Sequence, residues 1–354
     1  MTANRCPARG ALDMVVRLDD RLRIGGWATA LAPVRFASAT VAIAGVERDI
    51  LDSAWGVTSP DIAQLFPRLH AAATCRFFVD VALAAEERLD NACVRVNPRG
   101  PAGELGPSLF QVVAPWIVMP TADDVLAVGG GEFGGLEFLG HFVDLAGLEP
   151  GHDVLDIGCG IGRMAYPLSF FVADESSYTG FDIVAASIDG ARARFRRFER
   201  FAFVHADLAN GMYNPDGDRS ACQYRFPVED GTVDFAFATS LFTHIDGATT
   251  RHYLAETRRA LRSTGAGLLT FFLLDDEARA LVDAGPRTHA FRNRFDDGYA
   301  NDLDSPEAAI GYERSTVESW IASAGMRLDA WHRGSWSGFD SPTSYQDVLV
   351  VRPK

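Results

Sequence analysis

From residue 21 to about residue 113 the apolar positions alternate with polar ones in short runs, LRIGGWATA, ASATVAIAGV, CRFFVDVAL and ACVRVN, separated by Gly, Pro and Asp. A period of two puts every second side chain on one face, so these runs predict the strands of a small antiparallel β domain. PDIAQLFPRLH interrupts them with Ile62, Leu65 and Phe66 at helical spacing, which predicts a helical turn around residues 60–70. Stretches rich in Gly and Pro at 97–107 and 127–135 punctuate the passage to a second part. There, Leu136, Leu139, Phe142, Val143 and Leu145 predict a helix that ends at about Gly147.

Beyond Pro150 the pattern becomes continuous apolar runs, DVLDI, YTGFDI, FAFVHAD, VDFAFATS and GLLTFFLL, with helical segments at about 164–172, 185–198 and 249–261. Such alternation predicts parallel strands joined by right-handed crossovers, hence a doubly wound α/β sheet whose ligand sits at the carboxyl ends of the strands. The expected organisation is a tail over residues 1–20, a β-rich accessory domain over 21–116 and a larger α/β domain over 117–354.

Composition adds limits. The chain has 354 residues, 47% of them hydrophobic and 23% charged, enough for two domains and a core that shields a reaction site from water. Residues 1–120 balance 12 Arg against 12 acids, whereas residues 121–354 carry 21 basic against 35 acidic residues, the whole of the net charge of −14. That surface disfavours nucleic-acid partners. Five widely spaced cysteines without a CxxC pair suggest neither a disulfide framework nor a zinc site. The first 20 residues lack the apolar core of a leader, and the longest largely apolar run, 267–274, is too short for a membrane span. A soluble cytoplasmic protein is expected.

The central signal is Val154, Leu155, Asp156, Ile157, Gly158, Cys159, Gly160, Ile161 and Gly162: a buried strand ending in an acid, three alternate glycines, then a helix. Glycines there let the backbone approach a ligand and aim helix N-terminal amides at it. A phosphate P-loop needs Gly-Lys-Ser or Gly-Lys-Thr, and the single lysine is Lys354. A dinucleotide fingerprint counted from Gly158 would place Arg163 where a small residue must let helix and strand pack closely, so a nicotinamide cofactor is disfavoured.

VLDIGCGIG resembles motif I of the class I S-adenosylmethionine-dependent methyltransferases, and the resemblance continues through the rest of the second part. It implies a Rossmann-like seven-stranded doubly wound sheet, S-adenosyl-L-methionine as cofactor, and methyl transfer as the activity. In that family the glycine loop holds the methionine end of the cofactor, which implies Asp156, Gly158, Cys159, Gly160 and Gly162 here. The acid that closes the second strand is matched by Asp182, followed by Ile183; a carboxylate there can accept two hydrogen bonds from vicinal ribose hydroxyls. An acid near the adenine amine is matched by Asp207, with Leu208 to pack on the ring. In VDFAFATSLFTHI, Ser240, Leu241 and His244 fall where the family lines its cofactor and acceptor cavity. Asp234 begins that strand and reads as structural. The final runs, ESWIASAGMRLDAWHRGSWSG and SYQDVLVVRPK, resemble the helix and antiparallel hairpin that complete the family's sheet.

Methyl transfer from a sulfonium is an in-line displacement with a good neutral leaving group, so positioning and desolvation do much of the work. A hydroxyl acceptor gains from a general base, and His244 is the candidate, with a purely structural role as the alternative. The segment 275–310, with His289, Arg292 and Arg294, reads as a solvated loop or as a lid over the acceptor pocket. Tyr213, Asn214 and Pro215 mark another insertion at the cofactor edge, and Trp336 and Tyr345 are candidates for the pocket's border. No metal site is expected; Asp275 and Asp276 read as the charged start of a helix. In ARARFRRFERF, Phe195 and Phe198 share a helix face and read as core, with the arginines toward solvent.

In the first part, GWA, VAIAGV, SPDIAQLFP and CRFF resemble a small β domain found beside bacterial glycosyltransferase and methyltransferase domains. That resemblance implies a sugar acceptor in a surface polysaccharide or glycolipid, and association with glycan-assembly enzymes. The expected function is O-methylation of a sugar or other small hydroxylated metabolite. The alternatives are a lipid, quinone or nitrogen acceptor, and a catalytically silent glycan-binding or scaffold protein. Intact Gly158, Gly160, Gly162 and Asp182 argue against silence.

Overall fold

The computed structural model describes residues 5–31, 33–84, 86–117, 134–285, 287–340 and 343–354; of the Gly-rich punctuation read at 127–135, residues 127–133 lie outside them. The chain forms two compact units. One contains residues up to 117, the helix Gly134–Asp144 and Met164–Phe171; the other contains Leu145–Arg163 and Val172–Lys354.

The first unit holds two four-stranded antiparallel sheets. One has the order Ala8–Leu18, Arg21–Ala30, Arg76–Ala82, Ile50–Val57, and the other Val46–Glu47, Ser38–Ile43, Ala92–Arg99, Leu109–Val113. Alternation sorts their side chains as expected: Val41, Ile43, Val94 and Val96 meet Leu22, Ile24, Phe77, Val79 and Val81 in one core. Asp80, only 3% exposed, stands opposite Arg23 in the register and is held by its guanidinium at 2.7 and 2.8 Å. Residues 8–18, read as tail, are instead the first strand. A bulge between Leu12 and Met14 shifts the register and hides the period of two from the sequence.

In the second unit the strands are β1 Val154–Ile157, β2 Tyr178–Asp182, β3 Phe201–His205, β4 Val233–Ala238, β5 Leu261–Phe271, β6 Met326–His332 and β7 Asp347–Pro353. Their order across the sheet is β3-β2-β1-β4-β5-β7-β6. The first five are parallel, and β7 runs antiparallel to both β5 and β6. This is the expected seven-stranded α/β sheet. All four residues of β1 are buried, as befits a parallel strand covered on both faces. The chain travels outward from β1 to β3 and then crosses to β4 on the other side of β1. The switch point, where a doubly wound sheet opens a crevice, therefore lies at the carboxyl ends of β1 and β4.

GLLTFFLL does not form one strand. β5 stops at Phe271, and Leu273–Leu274 pairs with Ile310–Glu313 in a separate four-stranded sheet completed by Gly298–Ala300 and Asn293–Phe295. The run divides because Phe271 and Leu273 enter the main core whereas Phe272 and Leu274 enter a second cluster with Ala278, Val282, Phe291 and Trp336. The segment 275–310 is thus a packed subdomain, not a solvated loop, because Ala278, Val282 and Phe291 give it a core of its own. Asp275 caps the helix Asp276–Asp283, accepting from the Ala278 N–H at 2.8 Å, the helix-start role read for it. Trp336 is 2% exposed and its indole donates to Asp347 at 2.8 Å, so it belongs to this core and not to a pocket border.

Candidate functional site

The loop after β1 carries three glycines with positive φ, Gly158, Gly160 and Gly162. They are glycines for different reasons. At Gly162, a Cβ would stand 2.7 Å from the Phe195 ring, so the position serves packing. At Gly160, nothing lies within 4 Å, and the backbone is open to a ligand. Gly162→Ala is expected to destabilise the fold by about 1–2 kcal/mol through φ strain and overpacking. Gly190→Ala, in the helix Ala185–Arg194 with open space around it, should stabilise by about 0.5–1 kcal/mol. Urea denaturation of the two variants checks both signs.

Asp182 ends β2 and ties the loop in place. Its Oδ2 accepts the Gly160 N–H at 2.8 Å and its Oδ1 the Val184 N–H at 2.9 Å. Burial pushes its carboxyl up, and the backbone donors oppose that shift. Each oxygen keeps a further lone pair for a ligand. Asp156 has a different place: it is 1% exposed beneath the loop and accepts the Tyr178 hydroxyl at 2.6 Å. Burial pushes its carboxyl up to about 7. Cys159 is also buried, and burial together with Asp156 and Asp182 holds its thiol protonated.

A cavity opens at the switch point, where a doubly wound sheet places its ligand. Gly158, Ile183, Leu208, Leu241 and Ile245 contribute apolar wall, and Asp182, Asp246 and Glu307 contribute acids, with no basic side chain in the lining among the described residues. The field inside therefore favours a ligand with a positive centre.

After β4, Leu241 and Ile245 face the cavity, whereas Ser240 and His244, also four residues apart, do not line it. Ser240 has φ +58, a backbone conformation uncommon for a side-chain-bearing residue. It is fixed by its N–H to Thr270 Oγ1 at 2.8 Å and its hydroxyl to Gln346 at 3.2 Å. His244 points Nδ1 at the Glu307 carbonyl oxygen, 2.8 Å away. A carbonyl only accepts, so Nδ1 carries the proton and Nε2 is left with its lone pair. Burial lowers the His244 pKa and keeps the ring neutral. The Tyr213 ring meets it edge-on at 5.7 Å.

Asp207 lies two residues past β3 and outside the cavity lining, where its carboxylate accepts Asn214 Nδ2 at 3.0 Å. Asn214 also donates to the Leu208 carbonyl at 3.0 Å, so the insertion read at Tyr213 to Pro215 is latched to the end of β3. Arg292 pairs with Asp283 on the surface and Arg294 stands over the Tyr299 ring; neither lines the cavity. Asp234 accepts the Asp153 N–H at 3.0 Å, the structural role read for it. Glu307 was not legible in the sequence: it sits in the short turn Pro306–Ala308, where SPEAA carries no motif. Among the described residues no cluster of His, Cys, Asp and Glu suits a metal ion, and no helix is long and apolar enough to cross a membrane.

Residues 154–265 match a family model described as a methyltransferase domain. Among solved structures, a protein from Pyrococcus horikoshii is 18% identical, with 63% of this chain and 89% of that chain covered at a TM-score of 0.43. A TehB-like SAM-dependent methyltransferase from Corynebacterium glutamicum is 16% identical, with 66% and 94% covered at a TM-score of 0.40. A SAM-dependent methyltransferase from Aquifex aeolicus is 14% identical, with 66% and 97% covered at a TM-score of 0.42. The donor set fits S-adenosylmethionine: an open glycine backbone at Gly160, a buried acid with spare lone pairs at the end of β2, apolar wall, and an acidic field for a sulfonium.

Proposed function

With residues 154–265 as a methyltransferase domain whose cofactor is S-adenosyl-L-methionine, we propose that this protein methylates a hydroxyl oxygen of a sugar or other small hydroxylated acceptor. The observation that carries the oxygen acceptor is His244: a neutral imidazole with its proton fixed on Nδ1 and Nε2 free, beside the cavity's Glu307. An alcohol needs a base as its proton leaves, and Nε2 is the atom to take it. The resemblance of the first part to β domains beside glycan enzymes supports a sugar as the acceptor and glycan-assembly enzymes as partners.

When bound, the cofactor supplies an electrophilic methyl group on a sulfonium whose departure leaves a neutral thioether. In this reading Asp182 accepts from the ribose hydroxyls, Gly158 and Gly160 admit the chain of the cofactor, and Ile183, Leu208 and Leu241 exclude water from it. Asp156 and Gly162 hold the loop from behind, Cys159 fills the space beneath it, and Asp207 and Ser240 fix the neighbouring backbone. The test is a thermal melt with S-adenosylmethionine and with its demethylated product, followed by transfer of labelled methyl to a panel of sugars. Both ligands are expected to raise Tm, since binding to the folded state alone stabilises it. No shift, with no binding by calorimetry, would overturn the reading.

A further inference from the structure

The helix Gly247–Ala260 turns Thr249 and Tyr253 toward the cavity, four residues apart on one face. They are 6% and 3% exposed and carry the hydroxyls of its lining among the described residues. Their backbone groups are engaged: the Thr249 N–H goes to Asp246 at 2.7 Å, and the Tyr253 carbonyl accepts the Thr257 hydroxyl at 2.7 Å. Their side-chain oxygens have no hydrogen-bond partner among the described residues, and neither oxygen is sealed from solvent. In side chains buried this deeply, the cavity is the space onto which those oxygens open. A buried hydroxyl without a partner costs stability, so two of them on one wall point to a polar ligand.

Position across the sheet decides which part of the ligand they meet. The glycine loop follows β1, Asp182 closes β2, and Leu208, Ala209 and Asn210 of the lining follow β3. With the methionine end at the glycine loop and the ribose at Asp182, the base of the cofactor extends away from β1, toward β3. Tyr253 stands on that side. Its ring lies 6.3 Å from Phe181, the neighbour of Asp182, and 4.9 Å from Phe226, in the connection from β3 to β4. Asp207, the acid that the sequence places near the adenine amine, is outside the lining and accepts from Asn214 instead. Adenine offers an amine that donates and ring nitrogens that accept, and a hydroxyl answers either. Burial pushes the Tyr253 phenol up, so it keeps its proton and both capacities.

We propose that Tyr253 and Thr249 bind the adenine of S-adenosyl-L-methionine through their hydroxyls, in place of an acid after β3. They are then specificity residues for the base and have no part in moving the methyl group. This rests on the reading of Asp182 as the ribose acid.

The test is calorimetric binding of S-adenosylhomocysteine, and of three analogues altered only in the base, to the full chain and to its Tyr253→Phe and Thr249→Val variants. Hypoxanthine in place of adenine changes the 6-amino group and N1, while 3-deaza- and 7-deazaadenine each lose one ring acceptor. Each substitution is expected to weaken S-adenosylhomocysteine binding about three- to tenfold, the worth of one neutral hydrogen bond. In the variant, the penalty for at least one base change should shrink by a similar factor, as a double-mutant cycle requires of two groups in contact. Unliganded Tyr253→Phe keeps its ring against Phe181 and Phe226 and loses a hydroxyl that has no partner among the described residues. Its Tm should therefore equal or exceed that of wild type. Kd values for S-adenosylhomocysteine within about twofold of wild type in both variants overturn the proposal. So do base penalties that survive unchanged in both, which assign the hydroxyls to the ribose or the acceptor, and a fall in the Tm of unliganded Tyr253→Phe, which assigns its hydroxyl to the fold. These outcomes leave the methyltransferase reading standing; wild-type protein that binds no S-adenosylhomocysteine overturns that reading itself.

Discussion

Asp182→Ala is expected to weaken S-adenosylmethionine binding by roughly 10²- to 10⁴-fold. Two hydrogen bonds from ribose hydroxyls to a carboxylate, at about 1.5–3 kcal/mol each, set that range. The same carboxylate also accepts the Gly160 and Val184 N–H groups, so its removal loosens the glycine loop as well. Asp182→Asn separates the two effects. Its amide retains one acceptor and much of the shape, but presents an NH₂ where either the loop or the ligand offers a donor, and it should fall between wild type and alanine. Calorimetric Kd values check this, with the Tm of each unliganded variant as the control for folding. A Kd for Asp182→Ala within threefold of wild type would remove Asp182 from the cofactor site.

The parallel strands were legible because a strand covered on both faces is written as an unbroken apolar run, and β1 through β4 begin at or within one residue of the runs that announce them. The glycine loop was legible because positive φ leaves little choice of residue at Gly158, Gly160 and Gly162. Other features depend on partners distant in the chain. The strand Ala8–Leu18 is hidden by its bulge, and GLLTFFLL does not announce that alternate residues serve two cores. Asp207 and Asn214, or Asp156 and Tyr178, pair through the fold, so spacing could not tell a carboxylate lining the cavity from one propping its wall. Glu307 is the clearest case. Its side chain faces the cavity, its carbonyl sets the His244 tautomer, and its carboxylate accepts the Met212 N–H, yet nothing local marks it.

His244→Phe is expected to lower kcat by about 10²- to 10⁴-fold, the usual contribution of a positioned base, while the Kd for S-adenosylmethionine stays within a factor of about two. The split follows from the geometry, because His244 lies outside the cavity lining and its ring is held by the Glu307 carbonyl. The pH profile supplies a second readout. Burial depresses the His244 pKa below 6.5, so the unprotonated ring persists to lower pH than a free imidazole. The wild-type kcat should therefore hold level on descending through pH 6.5 and fall only below it, and this acid limb should vanish in the variant. The sign for stability agrees: the unfolded imidazole takes up its proton first, so the folded state loses stability as pH drops below 6.5, and His244→Phe removes that loss. Single-turnover rates across about pH 5 to 8, with denaturation at the two ends, measure both. An unchanged kcat in His244→Phe at neutral pH would leave this histidine a structural prop between β4 and the Glu307 turn and pass the acceptor's proton to solvent.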